Sequence, residues 1–427
     1  MRKSLPLGLL ALSLLQAEVH TMSLREAVRL ALRQNPSLVL ARLEEVKAVQ
    51  SAREAADPFS PKLILGSGLA YSSGFPLSIE GSAPAVVRAE VLKTVFDRPR
   101  SYLVRQAQES ARAAQYGAEA QRHEIAFRTA GLCLDILRLA KTSELSRGQV
   151  PRLEQVGRVV EARIEEGRAL PLERKKVTLE IAQARHRAQV QEGELAYAQG
   201  ALAGLLGLAS CDRVEIRSEE EPLPAALPAS AEEALRQALD ASQEVRQLES
   251  QIAAAGFEEQ AHRSARWPRV DLVAQYALLG RYNNYEDFFK AFQRHNGQLG
   301  VSVQLPLLPG SGAQAAAARA GAEATRLRTR LAATRSEISL AVERAWQQFR
   351  AAESSREVAR LGLDVAREEL SVLLAQFGEG RAGLRQVEEA RSREAHLWVT
   401  FYEAHFAVEQ SRFALLRHTG GLLAAVQ

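Results

Sequence analysis

The sequence predicts a mainly α fold with a small β part, arranged as two internal structural repeats. Three observations carry this. Segments opening the two halves match at a constant offset, four segments alternate with period two, and long stretches repeat apolar residues every 3.5 positions.

Composition bounds the class first. Of 427 residues, 46% are hydrophobic and 25% charged, which excludes a disordered chain and permits a large core. A mean hydropathy of −0.18 excludes a polytopic helical membrane protein but not a membrane β-barrel, whose alternating strands average to neutral. The net charge is +4, and arginine outnumbers lysine 47 to 8. The arginines are spread beside glutamates, as from Ala41 to Glu45, so they read as solvated helix faces and no nucleic-acid partner is expected.

In chain order, Arg2 and Lys3 precede an apolar run from Leu5 to Leu15, with Ala17 as a cleavage-site residue. This is the layout of a secretory signal peptide over residues 1–17, and the run is too short to span a bilayer. The mature chain is expected to begin near Glu18 and to work outside the cytoplasm.

The first repeat covers 18–217 and the second 230–427, joined by a proline-rich linker at 218–229. Ser23–Leu32 and Ser230–Leu239 align at an offset of 207 with six of ten residues identical, and the same offset places Pro61 on Pro268. Further along, Glu166–Ala169 matches Glu379–Ala382 at an offset of 213, which also places Gly207 on Gly420. Each half opens with a short helix carrying capping-box spacing, Ser23/Glu26 and Ser230/Glu233. A second helix follows, to about Asp57 and Arg266.

Strand pairs are predicted at about 61–96 and 268–306. In the second pair one face carries Val270, Leu272, Ala274, Tyr276 and Leu278, then Leu299, Val301, Val303 and Leu305; the other is small or polar. The first pair repeats this more loosely, with Leu63, Leu65, Leu69 and Tyr71, then Val87, Ala89, Val91 and Val95. Such strands fit either a sheet over a core or a bilayer-spanning barrel wall. The aromatic-rich connection from Leu279 to Gly297 suits a barrel rim or a binding lid.

Helix pairs follow at about 99–207 and 311–419. No strong breaker apart from Pro151 interrupts Pro99 to Glu166, and no proline interrupts Gly312 to Gln376. At ~1.5 Å per residue such helices reach ~100 Å, too long for an ordinary globular core. Val177, Ile181, Ala184, Ala188, Gln191, Leu195, Ala198 and Leu202 step by four and three, as do Leu397 to Leu415 and Leu327 to Ala345. That is coiled-coil periodicity. Pro151 is expected to kink its helix.

Catalytic chemistry is missing. The eight histidines form no ligand-spaced pair and read as surface residues. Pro309–Gly312 lacks the lysine of a phosphate loop. Cys133 sits in an apolar run as a buried hydrophobe, and the antiparallel register about Arg168 sets it opposite Gly204 rather than Cys211, so the two cysteines are expected to be unbonded. No enzyme activity, metal or cofactor is expected.

This organisation resembles the TolC-type outer-membrane efflux protein family over essentially the whole mature chain. The resemblance rests on Ser23–Ser37, Leu299–Pro306 and the Gly-Arg-Ala turns at 167 and 380, taken in this order. It implies a long coiled-coil helical barrel continued into a membrane β-barrel, with four strands from each chain of a homotrimer. The sequence supports an oligomer independently, because four strands cannot close a membrane barrel and an open edge cannot face lipid. The implied function is a passive exit duct of a tripartite efflux or secretion system. Its partners would be a periplasmic adaptor (membrane fusion) protein, an inner-membrane pump and outer-membrane lipid. The adaptor would dock on Gly167, Arg168, Ala169 and Leu170, and on Gly380, Arg381, Ala382 and Gly383. Gln386 and Glu389 fall where the family's best-known member lines its periplasmic gate with aspartates, flanked here by Arg385 and Glu388. The competing reading is a periplasmic coiled-coil adaptor or structural protein without a membrane barrel.

Overall fold

A computed structural model of the chain describes residues 19–68, 85–168, 170–209, 212–217, 227–279, 293–307, 310–379 and 381–426. The signal peptide, most of the linker, Leu69, Tyr71, the aromatics of the 279–297 connection, Cys211, Ala169 and Gly380 lie outside these residues.

Two short helices of equal length open the halves, α1 (Leu24–Gln34) and α5 (Ala231–Ala241), each of 11 residues. Serine side chains start both. The Ser23 hydroxyl accepts from the Glu26 N–H at 3.2 Å, and the Glu26 carboxylate accepts from the Ser23 N–H at 2.8 Å. That backbone donor is the main reason the Glu26 carboxyl lies below the ordinary glutamate range. Ser230 likewise caps α5 through the Glu233 N–H, but the Glu233 carboxylate accepts from the Ala229 N–H at 3.0 Å, one residue outside the expected box.

Each short helix is followed at once by one of 21 residues, α2 (Pro36–Ala56) and α6 (Gln243–Arg263). Asn35 makes the first of these breaks. Its buried side chain accepts from the Leu38 N–H and donates to the Leu205 carbonyl at 2.8 Å, while Pro36 opens α2 where no N–H is needed.

The long helices are α3 (Arg98–Glu165), α4 (Pro171–Leu205), α7 (Gly310–Gly378) and α8 (Leu384–Thr419), closed by a short α9 (Leu422–Val426). Their ends fall within two residues of the stretches expected at 99–166 and 312–376. Helix α3 is continuous through Pro151. The predicted stripes are the ones that pack: Ala184, Ala188, Ala198 and Leu202 on α4, Thr334 and Ala345 on α7, and Val408 and Leu415 on α8 are buried. Arg174 to Glu161, Arg185 to Glu154 at 2.6 Å and Arg147 to Glu192 set the antiparallel register of α3 and α4. No helix among the described residues is long and apolar enough to cross a membrane.

Two compact units result, and each draws on both halves of the sequence. The first comprises 1–40, 119–242 and 336–427; the second comprises 41–118 and 243–335. The core of the first gathers Val28, Leu38, Ile125, Ile136, Leu202, Val214, Phe413 and Val426. It includes a two-stranded parallel sheet, β1 (Val19–Met22) with β4 (Arg213–Ile216), that four-residue segments did not announce in the sequence. Cys133 is buried there as a free thiol, and burial pushes it up to about 12.

Two glycines join helix ends in this unit. Gly207 follows α4 with φ 73°, and a Cβ there would lie 3.1 Å from the Gln34 carbonyl oxygen. Gly420 caps α8 with φ 79°, and its Cβ would lie 2.8 Å from the Ala241 Cβ. Gln34 and Ala241 are themselves related by the offset of 207 and end the two short helices.

The histidines correct one expectation. His123 and His418 are half-buried in the helices, and desolvation lowers both below the ordinary imidazole value. His405 is also partly buried, stacked on Phe401.

Candidate functional site

Two regions carry the expected site residues: the inter-helix turns of the first unit and the sheet of the second. At the first turn α3 ends on Gly167, with φ 70°. The Arg168 N–H reaches back to the Arg163 carbonyl at 2.8 Å and the Gly167 N–H to that of Ile164 at 3.0 Å, so left-handed glycine closes the helix in a Schellman arrangement. Pro171 then opens α4 directly after an exposed Leu170. The second turn repeats the reach-back, from the Arg381 N–H to the Gln376 carbonyl at 2.8 Å. In each turn the arginine holds the glutamate two residues before it, Arg168 with Glu166 and Arg381 with Glu379.

The gate residues lie on the first turns of α8, and the structure gives Gln386 a second task. Its side-chain oxygen accepts from the Gly383 N–H at 2.9 Å, capping the helix. Arg385 sits one turn before Glu389, Nε to Oε1 3.7 Å, and both are exposed. Glu388 pairs instead with Arg391 at 3.0 Å. Sequence reasoning left the partners of both glutamates open; the helical spacings of three and four residues decide them.

In the second unit, β2 (Lys62–Gly68), β3 (Ala85–Asp97), β5 (Arg269–Leu279) and β6 (His295–Gln304) form one antiparallel sheet in the order β2-β3-β5-β6. The central pairing, β3 with β5, joins the two halves of the sequence. A register shift between Thr94 and Phe96 turns Val95 outward. The sheet is dressed the opposite way from one over a soluble core. Leu65 is 69% exposed and Leu299 77%, with Val87, Val95, Leu272, Tyr276, Val301 and Val303 also outward. The buried positions include a charge: Asp271 is 4% exposed, accepts from the Thr94 hydroxyl at 2.7 Å and pairs with Arg269 at 2.8 Å. Among the described residues β2 and β6 are the sheet's two open edges.

A third feature was not visible as a pattern in the sequence. Helix α4 carries a second stripe, exposed, at Leu172, Leu179, Val190 and Tyr197. Helix α7 carries one at Val358, Leu361, Val365 and Val372. The α4 spacings of seven, eleven and seven and the α7 spacings of three, four and seven all keep the coiled-coil period, so these helices have apolar residues on two sides. Among the described residues, no group of three His, Cys, Asp or Glu side chains could hold a metal ion.

No protein-family model matches the sequence, and no curated protein matches it. Solved structures do match. A membrane protein from Pseudomonas aeruginosa superposes with a TM-score of 0.77 at 17% identity, covering 93% of each chain. The outer membrane protein VceC from Vibrio cholerae gives 0.73 at 16% identity, over 93% of this chain and 96% of that one. The outer membrane channel MtrE from Neisseria gonorrhoeae gives 0.72 at 16% identity, over 95% and 90%. Over nearly its whole described length, the chain has the mainly helical fold, with a small strand part, of TolC-like outer-membrane channels.

Proposed function

We propose that the protein is the outer-membrane channel of a tripartite efflux or secretion system, conducting substrates passively from periplasm to exterior. The observation that carries this is the sheet. Exposed leucines and valines along the strands, with a buried, hydrogen-bonded aspartate among the few enclosed positions, fit a barrel wall between lipid and an aqueous lumen. A soluble adaptor would have to cover that apolar face.

The open edges of β2 and β6 would be closed by further copies of the chain, three copies giving a twelve-stranded barrel, since unpaired backbone groups cannot face hydrocarbon. The exposed stripes on α4 and α7 supply the matching seams for a helical barrel. The two halves act as structural repeats joined by the 218–229 linker. The turns around Gly167 and Arg381 would meet the adaptor that links the duct to an inner-membrane pump. Nothing in this reading calls for catalysis.

The test is membrane fractionation combined with native mass measurement. The expected result is a trimer in the outer-membrane fraction; a soluble monomer would remove the proposal.

A further inference from the structure

The helix-proximal end of the sheet gathers cations and aromatic rings. The register brings its members together: Asp97 is paired with Arg269, Thr94 with Asp271, and Arg269 with Gln304, while β2 begins at Lys62 opposite Leu92. The carboxylates at this end are already engaged. Asp57 pairs with Lys62, Asp97 accepts from the Arg100 N–H at 2.9 Å to start α3, and Asp271 pairs with Arg269. Lys93, Arg98 and Arg266 have no carboxylate partner among the described residues, and of these the two arginines adjoin the aromatic rings, Arg98 over Trp267 and Arg266 next to it in sequence.

Arg98 is held in place rather than neutralised. Its guanidinium lies 4.1 Å over the Trp267 ring, and one terminal nitrogen reaches the Tyr102 hydroxyl at 3.4 Å. A cation–π contact of this kind fixes the plane while leaving N–H groups for an acceptor. Arg266, next to Trp267 in sequence, is exposed. Trp267 is 46% exposed and packs 6.3 Å from Phe96. The patch thus has an apolar anchor, two guanidiniums without a carboxylate partner among the described residues and a position where exposed strand residues give way to charged helix.

We propose that this end of the sheet is a docking belt for anionic phospholipid, with Arg98 and Arg266 donating to the headgroup phosphate and Trp267 and Phe96 set against its glycerol and upper acyl region. The charge complementarity selects an anionic over a zwitterionic lipid, and half-exposed aromatic rings favour the interfacial depth. The proposal rests on the reading that the sheet lies in a bilayer.

Native mass measurement of the detergent-released assembly, supplied with phosphatidylglycerol or with phosphatidylcholine of the same acyl chains, tests it. The wild type should retain phosphatidylglycerol preferentially. Arg266→Gln and Arg98→Gln should each lower that retention about fivefold, leaving phosphatidylcholine unchanged. Among the described residues Arg266 has no intramolecular partner to lose, so its variant keeps the test valid should Arg98→Gln fold poorly. Equal retention of the two lipids, or unchanged preference in Arg266→Gln, overturns the belt. Displacement of the lipid by inorganic phosphate alone would show a free-anion site instead and overturn it as well. Conductance of the wild type in planar bilayers separates the two levels: a conducting channel without lipid preference removes only the belt, whereas a protein that does not insert removes the membrane reading with it.

Discussion

At residue scale, the consequential positions are those where backbone or burial leaves no alternative. Gly420 is one: its left-handed φ of 79° and the 2.8 Å approach to the Ala241 Cβ impose independent penalties on any side chain. Gly420→Ala should cost about 2 kcal/mol or more, of which about 1–2 is backbone strain. Adding Ala241→Gly should recover the steric part alone, so thermal melting of the single and double variants separates the two. Gly207 was paired with Gly420 in the sequence by the offset of 213, and the structure gives both left-handed φ and an abutting short helix. That pairing was legible because glycine is read by position rather than by hydrophobicity. The histidines were not legible, since burial depends on which neighbours the fold supplies. Desolvation lowers His123 and His418 in the folded chain. Below an unfolded imidazole value near 6.5 the unfolded state therefore binds more protons, and stability falls as pH falls. His123→Gln with His418→Gln should flatten the loss of melting temperature between pH 7.5 and pH 5.5; an unchanged slope would assign that loss to carboxylates.

At the scale of elements, long helices sum many weak signals, which is why α3, α4, α7 and α8 were legible almost to their ends. The four-residue strands β1 and β4 offered no period to sum, and their parallel pairing spans nearly the whole first half. The second apolar stripes fell between these cases. Val358, Leu361, Val365 and Val372 have helical spacing, but Arg356, Arg360, Asp364 and Arg367 interleave with them, and a one-stripe search assigns the helix to solvent on that side. Replacing Val358, Leu361 and Val365 together by Gln should leave the single chain as helical as before, because these side chains are exposed in it. It should nevertheless shift the assembly toward monomer, each buried aliphatic side chain being worth roughly 1.5–3 kcal/mol at a closed seam. Circular dichroism beside native mass measurement reads both effects; an intact trimer would show that this stripe faces something other than a second copy.

At the scale of the whole molecule, ion selectivity follows from the summed charge of three α8 starts, and the pairing seen in one chain sets that sum. Under the channel reading each copy would bring Glu389 toward the axis with Arg385 one turn away at 3.7 Å. Both groups are exposed, so their pair adds little stability, yet opposite charges at that separation leave almost no net field for an ion to read. Glu388 is held by Arg391, and Gln386 is neutral. Weak selectivity is therefore expected of the wild type. Arg385→Gln should unmask three carboxylates and give cation preference with cation block, while Glu389→Gln should leave three guanidiniums and move the reversal potential the other way. Gln386→Glu should resemble the first, because a carboxylate can still accept from the Gly383 N–H and the cap survives the added charge. Reversal potentials of single channels in a salt gradient distinguish these outcomes. Three unchanged potentials would place the start of α8 away from the conduction path, and Arg385, Gln386 and Glu389 would then belong to the helix cap and its surface charge rather than to a gate.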